Sequence, residues 1–277
     1  MSRTGPRETN YEGIAASYDR RYRERGYDDV ATYLLQWLAP APGLRVLELG
    51  CGTGHWLEIL EREGCAATGV DPSPGMLEKA RARVRGARIV RGRSEAVPLP
   101  SRAFDRIVCV NALHHFADRD ASLSEARRLL DDGGRLLTIG LDPHDGRDRW
   151  YVYEYFEGTR DEDRLRYPST ATIRAGLEAA GFTDVRSEVA KHMTIETSAE
   201  KALADGRVAR TTTSQLAILT DAEYARGIEA IERAIAATKS RGEELTLCAD
   251  LRLWATTASA GEPARVNSHA GRDKDWI

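Results

Sequence analysis

The chain has 277 residues, 42% of them hydrophobic, which is enough to bury the core of one large α/β domain. Charged residues make up 30% but nearly cancel, leaving a net charge of -3 and a pI near 6.1. That balance lacks the basic footprint of a nucleic-acid or anionic-membrane binder, so the expected partner is a small molecule.

The amino-terminal stretch is polar and has no apolar run like that of a secretion signal, and no run approaches the ~20 residues of a membrane span, so a cytoplasmic protein is expected. Tyr11, Ile14, Ala15, Tyr18 and Tyr22 recur at helical spacing and give an N-terminal helix one aromatic face, within a helical segment 1–43. From 44 to 190, short β-branched runs such as "RVLEL", "AATGV", "ARIV", "DRIVCV", "GRLLTIG" and "DVRSEVA" alternate with helical patterns. This rhythm predicts βαβ units and a doubly wound, mostly parallel sheet. Ser73 caps a helix that has Pro74 at its first position, so that helix begins directly after Asp71.

Residues 191–244 read as a helical cap inserted before a last strand at 245–257. Within the cap, Thr220 and Glu223 form a capping box, and Tyr224, Ile228, Ile231 and Ile235 lie on one stripe. Residues 258–277 are polar, carry Gly and Pro, lack periodicity, and are expected to be a flexible tail. Cys51, Cys65, Cys109 and Cys248 lie far apart without a CxxC pair, which fits reduced thiols, with no zinc site and no disulfide framework.

The chemistry concentrates behind the first strand, in "RVLELGCGTGHW". In a doubly wound sheet the ligand lies beyond the carboxyl ends of the strands, which places the loop of Gly50, Cys51, Gly52 and Gly54 against it. The dinucleotide pattern GxGxxG requires glycine at the position of His55, and here glycine comes one residue early. Glu48, two residues before the loop, would repel a pyrophosphate but suits a ligand carrying an ammonium and a sulfonium. Asp71 ends the second strand, where an acid accepts hydrogen bonds from both ribose hydroxyls.

Four stretches in order, "VLELGCGTG", "GVDPSPGML", "GRSEAVPLPSRAFDRIVCVNALHHF" and "LLDDGGRLLTIG", resemble the class I S-adenosylmethionine-dependent methyltransferases, specifically their small-molecule, ubiquinone and menaquinone methyltransferase-like branch. The resemblance covers about residues 10 to 190. It implies a Rossmann-like sheet of about seven strands whose last strand is antiparallel, with S-adenosylmethionine as cofactor and S-adenosylhomocysteine as product. It assigns the methionine moiety to Glu48, Gly50 and Gly52, with the ribose on Asp71 and the adenine between Ser73 and Met76. It also implies Ser94 and Glu95 at the adenine edge, Asn111 beside the methionine, and Tyr18 closing over the cofactor. Relatives often carry an acid where this chain has Arg93.

Methyl transfer from a sulfonium is an in-line displacement in which positioning alone supplies much of the acceleration, ~7–11 kcal/mol. His114 and His115 follow the fourth strand, where the methyl group should emerge. One of them serves as a base, or the pair forms a structural turn. His55 is expected to line the cofactor pocket, and His269 to lie in the tail. Acceptor contacts are expected from His144, Trp150, Tyr153, His192, Arg207 and Arg210, with Trp150 and Tyr153 belonging to an aromatic run and the arginines suited to a carboxylate. No metal is expected, since the fourth strand ends in Asn111 with no Asp-Asn pair following.

The expected activity is transfer of a methyl group to O, N or C of a small molecule, by a monomer or homodimer. Arginine far outnumbers lysine, which hints at a GC-rich bacterial genome and natural-product biosynthesis. Two rivals stand beside this reading: a cyclase-like or regulatory protein that binds the cofactor without transferring methyl, and an NAD-dependent oxidoreductase, which His55 and Glu48 disfavour.

Overall fold

The computed structural model describes residues 28–261. The expected N-terminal aromatic helix with Tyr18, and His269 with residues 262–277 of the expected tail, lie outside the described residues.

The order of described elements is α1 (Asp28–Leu38), β1 (Arg45–Leu49), α2 (His55–Arg62), β2 (Ala66–Asp71), α3 (Pro74–Arg83), β3 (Arg88–Arg91) and β4 (Phe104–Val110). A short 3-10 turn at Leu113–His115 leads to α4 (Arg119–Leu129) and β5 (Leu130–Leu141). Then come β6 (Arg149–Trp150), α5 (Tyr151–Tyr155), α6 (Thr159–Arg166), α7 (Thr170–Ala179) and β7 (Thr183–Ser198). The described chain closes with α8 (Ala199–Ala204), α9 (Ser214–Ala217), α10 (Asp221–Lys239) and β8 (Thr246–Ser259).

The strands form one sheet in the order β3-β2-β1-β4-β5-β8-β6, with β7 on β8. Pairings among β1 to β5 are parallel, while β8 runs antiparallel to β5, β6 and β7. The sheet is therefore the mostly parallel α/β sheet expected, with eight strands in place of about seven because two residues of the aromatic run, Arg149 and Trp150, add β6 to the β8 ladder.

Successive strand residues enter opposite layers, as a period of two requires. Val46, Val108, Val110, Leu137 and Ile139 join one core with α1 and α2. Leu47, Leu49, Ile107, Cys109 and Leu136 join the other with α4 and α7. Helices on both faces explain why these strands are apolar on both sides rather than alternating.

Local signals at helix starts appear as predicted. Ser73 accepts from the Met76 N–H at 3.2 Å with Pro74 in the first turn, and the Thr220–Glu223 capping box is complete. Two boundaries move. Residues 191–198 belong to β7 and not to a cap, because Met193 and Ile195 pair with Leu251 and Ala249 along a fourteen-residue β8, against which the sixteen residues of β7 run with register shifts after Thr183 and Val189. β8 likewise runs to Ser259, two residues past the expected end. The segment between β7 and β8 places Ala199, Val208, Leu216 and Ile231 in the first core together with Trp150, Val152 and Phe156. Among the described residues no helix is long and apolar enough to cross a membrane.

Candidate active site

The chain steps outward from β1 to β2 and β3, then returns to the other side of β1 as β4, so strand order reverses beside β1 and opens a crevice at its carboxyl end. The loop after β1 lies in that crevice. Gly50 has φ 75°, and a Cβ there would fall 2.4 Å from the Ala112 Cβ, so only glycine fits where this loop crosses the end of β4. Gly50 and Cys51 donate to the Val70 carbonyl at 2.8 and 3.1 Å, tying the loop to β2.

The resulting cleft encloses about 660 Å³, part of it open to solvent. Glu48, Gly50, Cys51, Gly52, Asp71, Ser73, Met76 and Asn111 line it together, joined by Pro72, Val110, Ala112, His115 and Phe116. Gly54 instead caps α2 beside Ala80, and His55 also lies outside the lining.

Glu48 is the unusual member. It is 1% exposed, and its Oε2 has no hydrogen-bond partner. Burial first, and then the nearby Asp71 charge, push its carboxyl well above the usual range, against the Leu57 N–H that favours the anion. A buried carboxylate with an orphan oxygen facing a cleft is a receptor for a cationic group. At the end of β2, Asp71 is held by N–H donors from Gly52 at 3.0 Å and Ser73 at 2.9 Å. Asn111 ends β4 in the left-handed region at φ 52°, a conformation asparagine tolerates better than most side chains. These residues fit a nucleoside that carries an ammonium: an acid for the cation, an acid at the ribose position, and backbone stripped of side chains between them.

Ser94 and Glu95 do not line the cleft. Ser94 Oγ is buried 2.8 Å from Ser122 Oγ. Glu95 accepts from the Ala117 and Asp118 N–H groups at 3.0 and 3.1 Å, which fastens the segment after the histidines. Partial burial raises its carboxyl, but these backbone donors and Arg93 outweigh that and hold it below the usual range.

A second cleft of about 540 Å³ adjoins the first and shares Asn111 and His115 with it. Its apolar side is Leu141, Trp150, Met193, Leu251 and Leu253; its polar side is His114, Tyr167, Thr212, Thr213, Ser214 and Gln215. His114 stacks on Tyr167 with ring centroids 3.8 Å apart and lies 3.7 Å from the His115 ring.

Of the predicted acceptor residues only Trp150 lines this cleft; the others are committed elsewhere. His144 Nε2 is 2.9 Å from the Tyr167 carbonyl, and Asp142 accepts from the His144 and Thr170 N–H groups, so "LDPHD" braces the chain around Tyr167. Tyr153 lies behind the polar wall and donates to Asp163 at 2.7 Å. His192 is half-exposed on β7 and contacts Asp250 at 2.7 Å. Arg207 lies 3.7 Å from Asp205, and Arg210 binds Asp221 and the Leu219 carbonyl. Tyr167, Met193 and the run 212–215 are among the lining residues that sequence reasoning missed, with the strand leucines Leu141, Leu251 and Leu253, and neutral polar or plain apolar residues offer no local signal by which to find them.

The methyltransferase domain family matches residues 47–138. An uncharacterized methyltransferase of Synechocystis is 30% identical over 157 residues, covering 56% of this chain and 74% of that protein. The chain belongs to the class I S-adenosylmethionine-dependent methyltransferases. Among other family relatives, an uncharacterized methyltransferase of Mycobacterium tuberculosis is 35% identical over 116 residues, 42% of this chain and 47% of that protein. The malonyl-[acyl-carrier protein] O-methyltransferase of Serratia marcescens is 33% identical over 141 residues, 48% of this chain and 54% of the enzyme. The chain thus spans about half the length of these two relatives. Two solved structures share its fold. A methyltransferase ascribed to an antibiotic biosynthesis pathway of Anabaena variabilis has a TM-score of 0.62 at 19% identity, covering 82% of this chain and 96% of that one. The [4+2]-cyclase SpnF has a TM-score of 0.54 at 20% identity, covering 85% and 82%.

Proposed function

We propose that this family member transfers the methyl group of S-adenosylmethionine to O, N or C of a small-molecule acceptor. The observation that carries this reading is the meeting of two clefts at Asn111 and His115, one holding the orphan carboxylate of Glu48 and the other lined by aromatic and neutral polar groups.

Glu48 would hold the ammonium of the cofactor, Asp71 its ribose, and Ser73 with Met76 its adenine. When bound, S-adenosylmethionine supplies an electrophilic methyl group on a sulfonium, and the sulfur keeps the bonding electron pair. The protein's part is to exclude water, align the acceptor, and take up a proton when the acceptor is a hydroxyl. His115 borders both clefts and would take up that proton, with His114 held against Tyr167 beside it. A cytoplasmic, biosynthetic role as a monomer or homodimer completes the reading.

Thermal shift with S-adenosylmethionine and with NAD tests the cofactor: the first should stabilise the protein and the second should not. Mass spectrometry of S-adenosylhomocysteine release across a metabolite panel tests the transfer. The fold shared with a cyclase supports a second reading, in which the cofactor is bound but not consumed. Tight cofactor binding with no S-adenosylhomocysteine from any acceptor would favour that alternative.

A further inference from the structure

Among the described residues lining the second cleft there is no Asp, Glu, Lys or Arg. One organised charge stands behind its polar residues. Asp163, fully buried, accepts at one oxygen from the Tyr153 hydroxyl at 2.7 Å and from Gln215 Nε2 at 2.8 Å. Its other oxygen has no hydrogen bond and lies 3.6 Å from Arg166, itself buried.

This arrangement decides which way round the Gln215 amide sits. A carboxylate only accepts, so it must face the amide nitrogen, and the second N–H of that nitrogen points to the Tyr167 hydroxyl at 3.4 Å. Oε1 is then the polar atom left to the wall, where Ser214 Oγ approaches at 3.3 Å and a second lone pair remains. The cleft therefore offers a hydrogen-bond acceptor held by its neighbours among apolar and neutral polar groups, with no carboxylate, ammonium or guanidinium beside it and the imidazoles of His114 and His115 as its titratable members.

We propose that this cleft selects an uncharged, hydroxyl-bearing acceptor with an apolar or aromatic body, the hydroxyl donating to Gln215 Oε1 and Asp163 acting as a positioning residue that holds the amide in register. The inference rests on the methyltransferase reading of the adjoining cleft and names its substrate class. An ammonium acceptor would lose hydration here without a carboxylate to receive it, and an anionic one without a Lys or Arg. A neutral molecule lacking a donor would leave Oε1 without its second bond.

Calorimetry on the full chain tests this with probes on one ring. The protein is saturated with S-adenosylhomocysteine, then titrated near neutral pH with naphthol, naphthoic acid, naphthylmethylamine and methoxynaphthalene. Naphthol should bind at least ~10-fold tighter than either charged probe and ~5–10-fold tighter than its methyl ether. Asp163→Asn, which lets the Gln215 amide turn over, should bring the naphthol-to-ether ratio toward one and leave S-adenosylhomocysteine affinity unchanged; Gln215→Leu should do the same. A charged probe that binds as well as naphthol, a ratio that both variants leave intact, or no naphthol binding overturns the assignment. Failure of S-adenosylhomocysteine itself to bind overturns the methyltransferase reading instead. If either variant does not fold, the order of the four probes on the unaltered protein still decides.

Discussion

Glu48 carries a cost in the ligand-free protein that becomes useful only when a cation arrives. Its orphan oxygen and raised carboxyl mean that the empty cleft is destabilised by an acid group that has lost its hydration without gaining a partner at that oxygen. Glu48→Gln should therefore act in two directions: the ligand-free protein should melt higher, while S-adenosylmethionine affinity falls ~10–100-fold through loss of a charged hydrogen bond. Calorimetry and thermal denaturation read the two effects separately, and a variant that loses stability and keeps its affinity would contradict the role. The histidines differ in the same local way. His115 borders both clefts and His114 only the second, so with a hydroxyl acceptor His115→Ala should lower kcat by ~10²–10⁴-fold, and His114→Ala by less. Single-turnover rates would show it, and equal losses would return both residues to a structural turn. Asp163 gives a pH signature. Burial first, against the Tyr153, Arg166 and Gln215 contacts that favour the anion, pushes its carboxyl up to about 6 from the ordinary 3.8. The unfolded chain ionises earlier than the folded one, so its contribution is intact below the ordinary value and is lost as pH rises through the window up to about 6. Relative to Asp163→Asn, the unaltered protein should lose melting temperature across that window and then run parallel; a gap that is flat or widens with pH would refute the assignment.

At the level of elements, α10 rides closely over α5 and the residue that follows it. Gly227, inside α10, faces the Phe156 ring so tightly that a Cβ would fall 2.1 Å from the ring carbon Cδ1. Gly227→Ala should gain ~1 kcal/mol of helix propensity and lose more to overpacking, which costs ~1–3 kcal/mol in a filled core. The expected net effect is a lower melting temperature, and an unchanged or higher one would show that the ring moves aside freely. Elements also show where sequence reading succeeds. The capped start of α3, the capping box of α10 and the glycine loop are decided by neighbours within a few residues, so their patterns are visible in the string. The length of β7 is not, because 191–198 become strand only through the long β8 beside them, whose pairing residues run from Leu253 back to Thr246.

Across the whole molecule the same contrast separates the two clefts. The first is assembled from β1, β2 and β4 ends and the loops directly behind them, each marked by its own short motif, so Glu48, Asp71 and Asn111 were readable together. The second draws on the turn after β4, on β5, β6, β7, β8 and α9, and on the segments after α6 and before α9, and six of its thirteen members are ordinary Leu, Thr or Ser that acquire a role only through assembly. His192, Arg207 and Arg210 drew attention as titratable or charged groups, yet such groups find partners at the surface and leave this cleft neutral. The two clefts should be separable in whole-protein stability. A cofactor at about 100 times its Kd stabilises the native state by ~2.7 kcal/mol, which for a domain of this size is ~5–10 °C in Tm. S-adenosylmethionine should produce that shift in the unaltered protein and in Gln215→Leu, whose altered side chain lies in the second cleft alone. Gly50→Ala should abolish it, because the added Cβ forces the loop off Ala112 in the first. A lost shift in Gln215→Leu would mean that the polar wall holds the cofactor cleft together, while a full shift in Gly50→Ala would mean that the ligand does not use the glycine loop at all.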